Sequence, residues 1–389
     1  MKRKGIAVFL TAMMMPIMLG GCSERGAESV GNVTVNSAVT LPDNSTGTSP
    51  AASAPASTST HSGAPSVIAP SFSDTSSDEP ETSVPEVQTS TPTEPVTPTY
   101  PTSNATETIT DDTVIESGRV MYVDSGEVLE LNANVAVQPG GAIVVNEGGE
   151  LLVAKYIELD GDLELRGNGK LTMLYDSAIE GGGDVIVGKS FNQIDCGDGT
   201  IKAHITPPER EIINGATYVG GIVIANKAIT LPPEFGSHIA YDSAEPVVLE
   251  ALQKMNAESP YYYSVVSGYR DYWSQQAIFQ RYCDRDGYEE AVTYSAKQGH
   301  SEHQTGYTMD LDSLYESYGQ TPEGKWLAAN CWKYGFIIRY PKGKENITGY
   351  TYEPWHVRWI GRSTAKLVYD SGLTLEEFFN VEGGWTIID

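Results

Sequence analysis

The sequence predicts a multidomain chain: an α+β domain with an antiparallel sheet and flanking helices over residues 208–389, an all-β module over 114–207, and a disordered stalk over 23–113. Three observations lead there. The composition turns to Ser, Thr, Pro and Ala after residue 22. Short β-prone runs separated by glycine turns follow. From Tyr218 onward, apolar residues at helical spacing alternate with strand-like runs.

Residues 1–22 read as a signal peptide, since Met1 to Lys4 carry three positive charges and Gly5 to Gly21 are apolar or small. Such a run is too short to remain as a spanning helix. It closes in Leu19-Gly20-Gly21-Cys22, which resembles the bacterial lipobox. That resemblance implies a diacylated Cys22 at the mature N-terminus and a lipoprotein anchored outside the cytoplasm, facing the cell wall; an ordinary secretory signal is the alternative.

The stalk, Ser23 to Thr113, holds twelve acidic residues and one basic residue, Arg25, and too little apolar surface to offset the entropy of ordering. As a flexible coil it would reach about 50 Å. The net charge of −26 shows no basic patch for phosphate partners and argues against nucleic-acid binding.

In the β-module, runs such as "AIVV", "ELLVA" and "DVIVG" lie between glycines at Gly140, Gly161 and Gly182, spaced by 21 residues, and Gly148 and Gly169 keep the same step. Short strands at a fixed period suggest a small β-solenoid, with a β-sandwich as the alternative. A spacer, a wall-binding module and a protein-contact surface all fit it.

In the C-terminal domain, Val248, Leu252 and Met255 give one buried helix face. Thr321-Pro322 opens a second helix, with Leu327, Cys331 and Tyr334 as its stripe and Gly335 as its stop, and "GFIIRYP" reads as the strand after it. The chemistry lies in "QGHSEHQTGYTMDLDS", which carries two of the six histidines. A turn at Gly306 precedes an alternating run with Thr308, Asp310 and Asp312 on one face, so His303 and Asp310 are able to converge. "YEPWHVRW" adds Glu353 and His356. Two imidazoles and one carboxylate suit a catalytic zinc site, with a further carboxylate to take a proton from water. By residues alone, a polar surface loop remains the alternative.

The blocks "GIVIANKAITLP", "SGYRDYWSQQAIF", "SAKQGHSEHQTGYTMDLD" and "EGKWLAANCWKYGFIIRYPKGKENITGYTYEPWHVRWIG" together resemble the VanY-type D-alanyl-D-alanine carboxypeptidase family from about Gly221 to Phe379. The resemblance implies a zinc peptidase with His303, Asp310 and His356 as ligands and Glu353 as general base. It implies that Arg270 faces the substrate carbonyl or terminal carboxylate, and that Gln275 and Ser301 line the substrate pocket. Gln298 and Thr308 depart from the family's usual Pro and small residue. The substrate implied is the C-terminal D-alanine of a peptidoglycan stem peptide, by D,D- or L,D-carboxypeptidase action. A peptidoglycan endopeptidase and a non-catalytic wall-binding lipoprotein are the alternatives.

His300 and Asp312 match no family ligand position and read as surface or supporting groups, and Glu302 reads as a solvated or supporting carboxylate, with a second base as the alternative. Arg339 and Arg358 read as substrate-carboxylate binders or as ion-paired support of the strands. Trp355 and Trp359 read as core aromatics, and His204 and His238 as surface residues. Of the three cysteines beyond Cys22, Cys283 and Cys331 are permitted to pair outside the cytoplasm.

Overall fold

Between Glu107 and Thr206 the chain alternates inward Leu, Ile and Val with outward polar residues, and this period of two winds it into five coils. The computed structural model describes residues 104–384, all within one compact unit. The signal peptide, Cys22 and the stalk to residue 103 lie outside the described residues. The coils are β1 (Glu107–Ile109), β2 (Thr113–Ile115) and β3 (Val120–Val123); β4 (Val128–Leu131), β5 (Val135–Val137) and β6 (Ala142–Val145); β7 (Glu150–Val153), β8 (Tyr156–Leu159) and β9 (Asp162–Leu165); β10 (Lys170–Met173), β11 (Ala178–Glu180) and β12 (Asp184–Val187); and β13 (Ile194–Asp195), β14 (Thr200–Ile201) and β15 (His204–Thr206). Each coil gives one strand to each of three parallel five-stranded sheets, and the module is a β-solenoid.

Two sequence expectations are corrected here. The ordered module begins near Thr106 and not at residue 114, because β1 pairs with β4 and Thr106 exchanges hydrogen bonds with Val128. "ATETITDDT" has a stalk-like composition, but a strand needs only its inward residues to be apolar.

The repeat is also not a uniform 21 residues. Glu107 opposes Leu129 and Val128 opposes Glu150, steps of 22, whereas Glu150 opposes Lys170, a step of 20. The glycines that stack are Gly141, Gly161 and Gly183: a Cβ on Gly161 would lie 2.2 Å from the Gly141 carbonyl oxygen, and one on Gly183 would lie 1.9 Å from that of Gly161. Close approach of successive coils is what excludes a side chain there.

After the solenoid, β16 (Arg210–Ile213), β17 (Ala216–Val219) and β18 (Ile222–Ile224) form an antiparallel three-stranded sheet. The domain beyond holds α1 (Pro246–Glu258), β19 (Val265–Ser267), α2 (Tyr272–Asp286), α3 (Tyr288–Tyr294), β20 (Thr308–Leu311), α4 (Pro322–Asn330), β21 (Phe336–Tyr340), α5 (Glu345–Thr348), β22 (Glu353–Trp359), α6 (Arg362–Ser371) and α7 (Leu375–Phe379). Its sheet is antiparallel in the order β19-β20-β22-β21, which makes the domain α+β. The helix expected from Thr321 ends as α4, and a short 3-10 turn carries Cys331 and Tyr334 to Gly335, whose φ of 91° only glycine adopts freely. Cys196, Cys283 and Cys331 are all free thiols.

The two parts share a core. Phe191, in a short turn closing the fourth coil, packs 5.5 Å from Phe378 and 5.3 Å from Phe379 of α7, ring to ring. Ile337, Ile360, Leu367 and Val368 belong to the same buried cluster as the Leu and Ile columns of the coils. The last coil is thus closed by α6 and α7, as solenoid ends must be.

Candidate active site

Two adjacent strands and one tight turn build the site. Asp310 on β20 and His356 on β22 are paired directly opposite each other. His303 lies in a 3-10 turn, Glu302–Thr305, that ends on Gly306 in the left-handed conformation (φ 75°) and returns the chain into β20. Asp312 does not share that face. It sits past the strand end, where its carboxylate accepts from the Ser264 amide (2.7 Å) and the Tyr318 hydroxyl (3.1 Å) and fastens the loops behind.

His303 Nδ1 lies 2.6 Å from the Gly268 carbonyl, which fixes the proton there and turns Nε2 inward, 3.2 Å from Asp310 Oδ2. His356 presents Nδ1 to Asp310 Oδ1 and to Glu353 Oε2, each at 3.2 Å. His303, Asp310 and His356 each offer one donor atom, and these lie within 4.8 Å of one another. All three residues are buried, and Asp310 Oδ1 has no hydrogen-bond partner. Buried, convergent donors of the N, N, O type, with one carboxylate oxygen left unsatisfied, are what a tetrahedral zinc site with one open position requires, so the residues present fit that ion.

The electrostatics agree. Burial disfavours the charge on Asp310, yet the two imidazoles hold its carboxyl well below the usual carboxylate range. Burial likewise opposes a charge on His356, but Asp310, Glu302 and Glu353 outweigh it and raise the imidazole well above its ordinary value. For His303, burial and then Arg270 push the pKa down. Two carboxylates, Asp310 and Glu353, converge on the inner nitrogen of His356, where a bound cation would compensate them. Glu353 is raised by burial, with His356 opposing, which suits a carboxylate that must take up and release a proton.

These groups open on a cleft of about 450 Å³ that Arg270, Gln275, Ser301, His303, Asp310, Glu353 and His356 all line. Arg270 follows β19 and makes no ion pair among the described residues; its buried Nε also lacks a hydrogen-bond partner. Gln275, on α2, anchors its amide on the Ala296 carbonyl (2.7 Å), leaving Oε1 unsatisfied. Ser301 is buried at the edge of the 3-10 turn. Trp355 borders the cleft, and Trp359 stacks on Tyr307. His300 bonds to the Asn226 carbonyl, and His204 and His238 are exposed and paired with Asp184 and Glu245.

A buried ionic layer supports these groups from behind. Glu302 is buried, and its Oε1 accepts from Arg339 Nε (2.7 Å) and Arg358 Nη1 (3.3 Å). Burial opposes its charge, yet the two guanidiniums hold the carboxyl well below its usual range. Arg339 and Arg358 are therefore structural ion-pair partners; the available signal was an arginine inside each apolar run, "FIIRY" and "HVRW".

A buried His-His-Asp cluster beside a further carboxylate, at the floor of a cleft with an unpaired guanidinium, has the donor set that metal-assisted hydrolysis needs. Residues 242–362 match the family model described as VanY: D-alanyl-D-alanine carboxypeptidase. Over 125 residues the chain is 50% identical to the putative carboxypeptidase YodJ of Bacillus subtilis, covering 31% of this chain and 46% of that protein. It is 37% identical over 119 residues to a D-alanyl-D-alanine carboxypeptidase of Enterococcus faecium, covering 31% of this chain and 37% of that one. The chain thus spans about half or less of these two curated relatives. Among solved structures, DacB of Streptococcus pneumoniae aligns with a TM-score of 0.40 and 34% identity, over 46% of this chain and 100% of that one.

Proposed function

We propose that the C-terminal domain is a zinc-dependent carboxypeptidase that hydrolyses the terminal D-alanine of peptidoglycan stem peptides. The observation that carries the reading is the cluster of His303, Asp310 and His356, with Glu353 in contact with one ligand and Arg270 on the same cleft.

A zinc ion held by the three side chains would supply Lewis acidity, making water a stronger acid and the scissile carbonyl more electrophilic. Glu353 takes the proton of the attacking water; its raised pKa then allows it to pass that proton to the leaving amine. Arg270, a fixed fork of donors without a protein carboxylate, binds the substrate's terminal carboxylate or carbonyl. Gln275 Oε1 and Ser301 offer polar contacts along the pocket wall.

The location belongs to the same proposal: Leu19-Gly20-Gly21-Cys22 supports an extracytoplasmic protein held to the membrane through lipidated Cys22, with wall peptides as substrate. Incubating the protein with pentapeptide and tetrapeptide stems, with and without chelator, tests the activity. Loss of one terminal D-alanine from the pentapeptide means D,D-specificity, and loss only from the tetrapeptide means L,D-specificity. Shortening of neither, alongside cleavage of cross-linked wall, would replace the reading by an endopeptidase.

A further inference from the structure

We propose that Glu302 is the positioning residue for His356: it holds the outer nitrogen of that imidazole so that the inner one faces the metal site. The inference rests on the metal-centre reading above and concerns a residue outside the ligand set.

His356 turns Nδ1 toward Asp310 and Glu353, so an imidazole serving an ion through Nδ1 must carry its proton on Nε2. That Nε2 is buried without a hydrogen-bond partner, and Glu302 Oε2 stands 3.7 Å from it. His303 meets the same need differently, through the Gly268 carbonyl at 2.6 Å. Ligand histidines generally place their second N–H on a carboxylate or a carbonyl; His303 uses the Gly268 carbonyl, and the group facing Nε2 of His356 is the Glu302 carboxylate.

Glu302 is the residue before His303, so one 3-10 turn carries both a ligand and the support of the ligand on the opposite strand. Its carboxylate is not free to swing. Oε1 is held by Arg339 and Arg358, and Oε2 accepts from Thr308 Oγ1 at 3.4 Å. The arginines are fixed in turn: Arg339 bonds Glu376 of α7 at 2.9 and 2.5 Å, and Arg358 Nη2 donates to the Val223 carbonyl of β18 at 2.7 Å. Two guanidiniums against two buried carboxylates balance in charge, which lets Glu302 remain ionised beside His356.

The test uses cobalt(II) as probe with the full chain, reading affinity and the visible absorption of the bound ion. Glu302→Gln keeps the shape and removes the charge; Glu302→Asp keeps the charge for the arginines but withdraws it from His356. Both are expected to bind cobalt roughly 10–100-fold more weakly, with an altered spectrum. Glu376→Gln, which disturbs Arg339 without touching His356, is expected to lower stability but leave the affinity unchanged. Wild-type affinity in a folded Glu302 variant overturns the proposal, as does an equal loss in Glu376→Gln. The nitrogen-15 signals of His356 in the zinc-loaded wild type decide the matter even if no variant folds: a proton on Nε2 is expected, and one on Nδ1 overturns the proposal. Failure of the wild type to bind cobalt would instead defeat the metal-centre reading itself.

Discussion

Asp310 and His356 face each other across the β20–β22 ladder, with Oδ1 and Nδ1 3.2 Å apart. Strand pairing, and not a flexible loop, sets the spacing of two of the three donors, so the site is preorganised before any ion arrives. Zinc should therefore stabilise the fold by about 2.7 kcal/mol at a hundredfold excess over its Kd, seen as a rise in Tm. In Asp310→Ala that rise should vanish; a persisting rise would place the ion elsewhere.

Arg270 is the free guanidinium of the cleft, and its value lies in the planar fork. Arg270→Lys should lower kcat/KM about 10–100-fold, equivalent to roughly 1.4–2.7 kcal/mol, with zinc content unchanged. Steady-state kinetics with metal analysis checks this. Equal activity would remove Arg270 from substrate binding.

Phe191 joins the solenoid to α7, and its ring is almost wholly buried. Phe191→Ala should cost about 3–5 kcal/mol. Because the core is continuous, calorimetry should show the solenoid and the C-terminal domain unfolding in one transition in the wild type. Two separate transitions would show that the module is an independent spacer.

Lys227 is buried over the Tyr350 ring, 4.2 Å from its centroid, and donates to the Val292 carbonyl. Burial pushes its ammonium down to about 8, against an ordinary 10.5, while Glu353 opposes the shift. Between those two values the unfolded chain binds more protons than the folded one, so this group makes stability rise with pH through that window. Lys227→Met should flatten the rise, measured by denaturant unfolding from pH 7.5 to 10.5; an unchanged slope would refute the burial argument.

Much of this was legible in the sequence, for physical reasons. His303, Asp310, Glu353 and His356 fall in short segments whose local geometry, a glycine-capped turn and two strands, already limits where they point. The coils were legible as strands because inward Leu, Ile and Val alternate with polar residues. Their register was not: a step of 20 or 22 depends on which glycines touch across coils, such as Gly161 on Gly141, and that is a tertiary fact. The shared core was equally hidden, since Phe191 and Phe378 are distant in sequence. Glu302 looked like any loop acid until Arg339 and Arg358 were brought to it.

The most direct measurement compares wild type and Glu353→Gln, both assayed for bound zinc and for D-alanine released from a stem pentapeptide and a stem tetrapeptide. Glu353 touches His356 but is not a ligand, so the variant should hold one zinc per chain, as the wild type does, and lose at least about a hundredfold in kcat on whichever peptide is cleaved. Turnover at the wild-type rate in the zinc-loaded variant would contradict the assignment of Glu353 as the base. No D-alanine released from either peptide by the zinc-loaded wild type would contradict the carboxypeptidase itself.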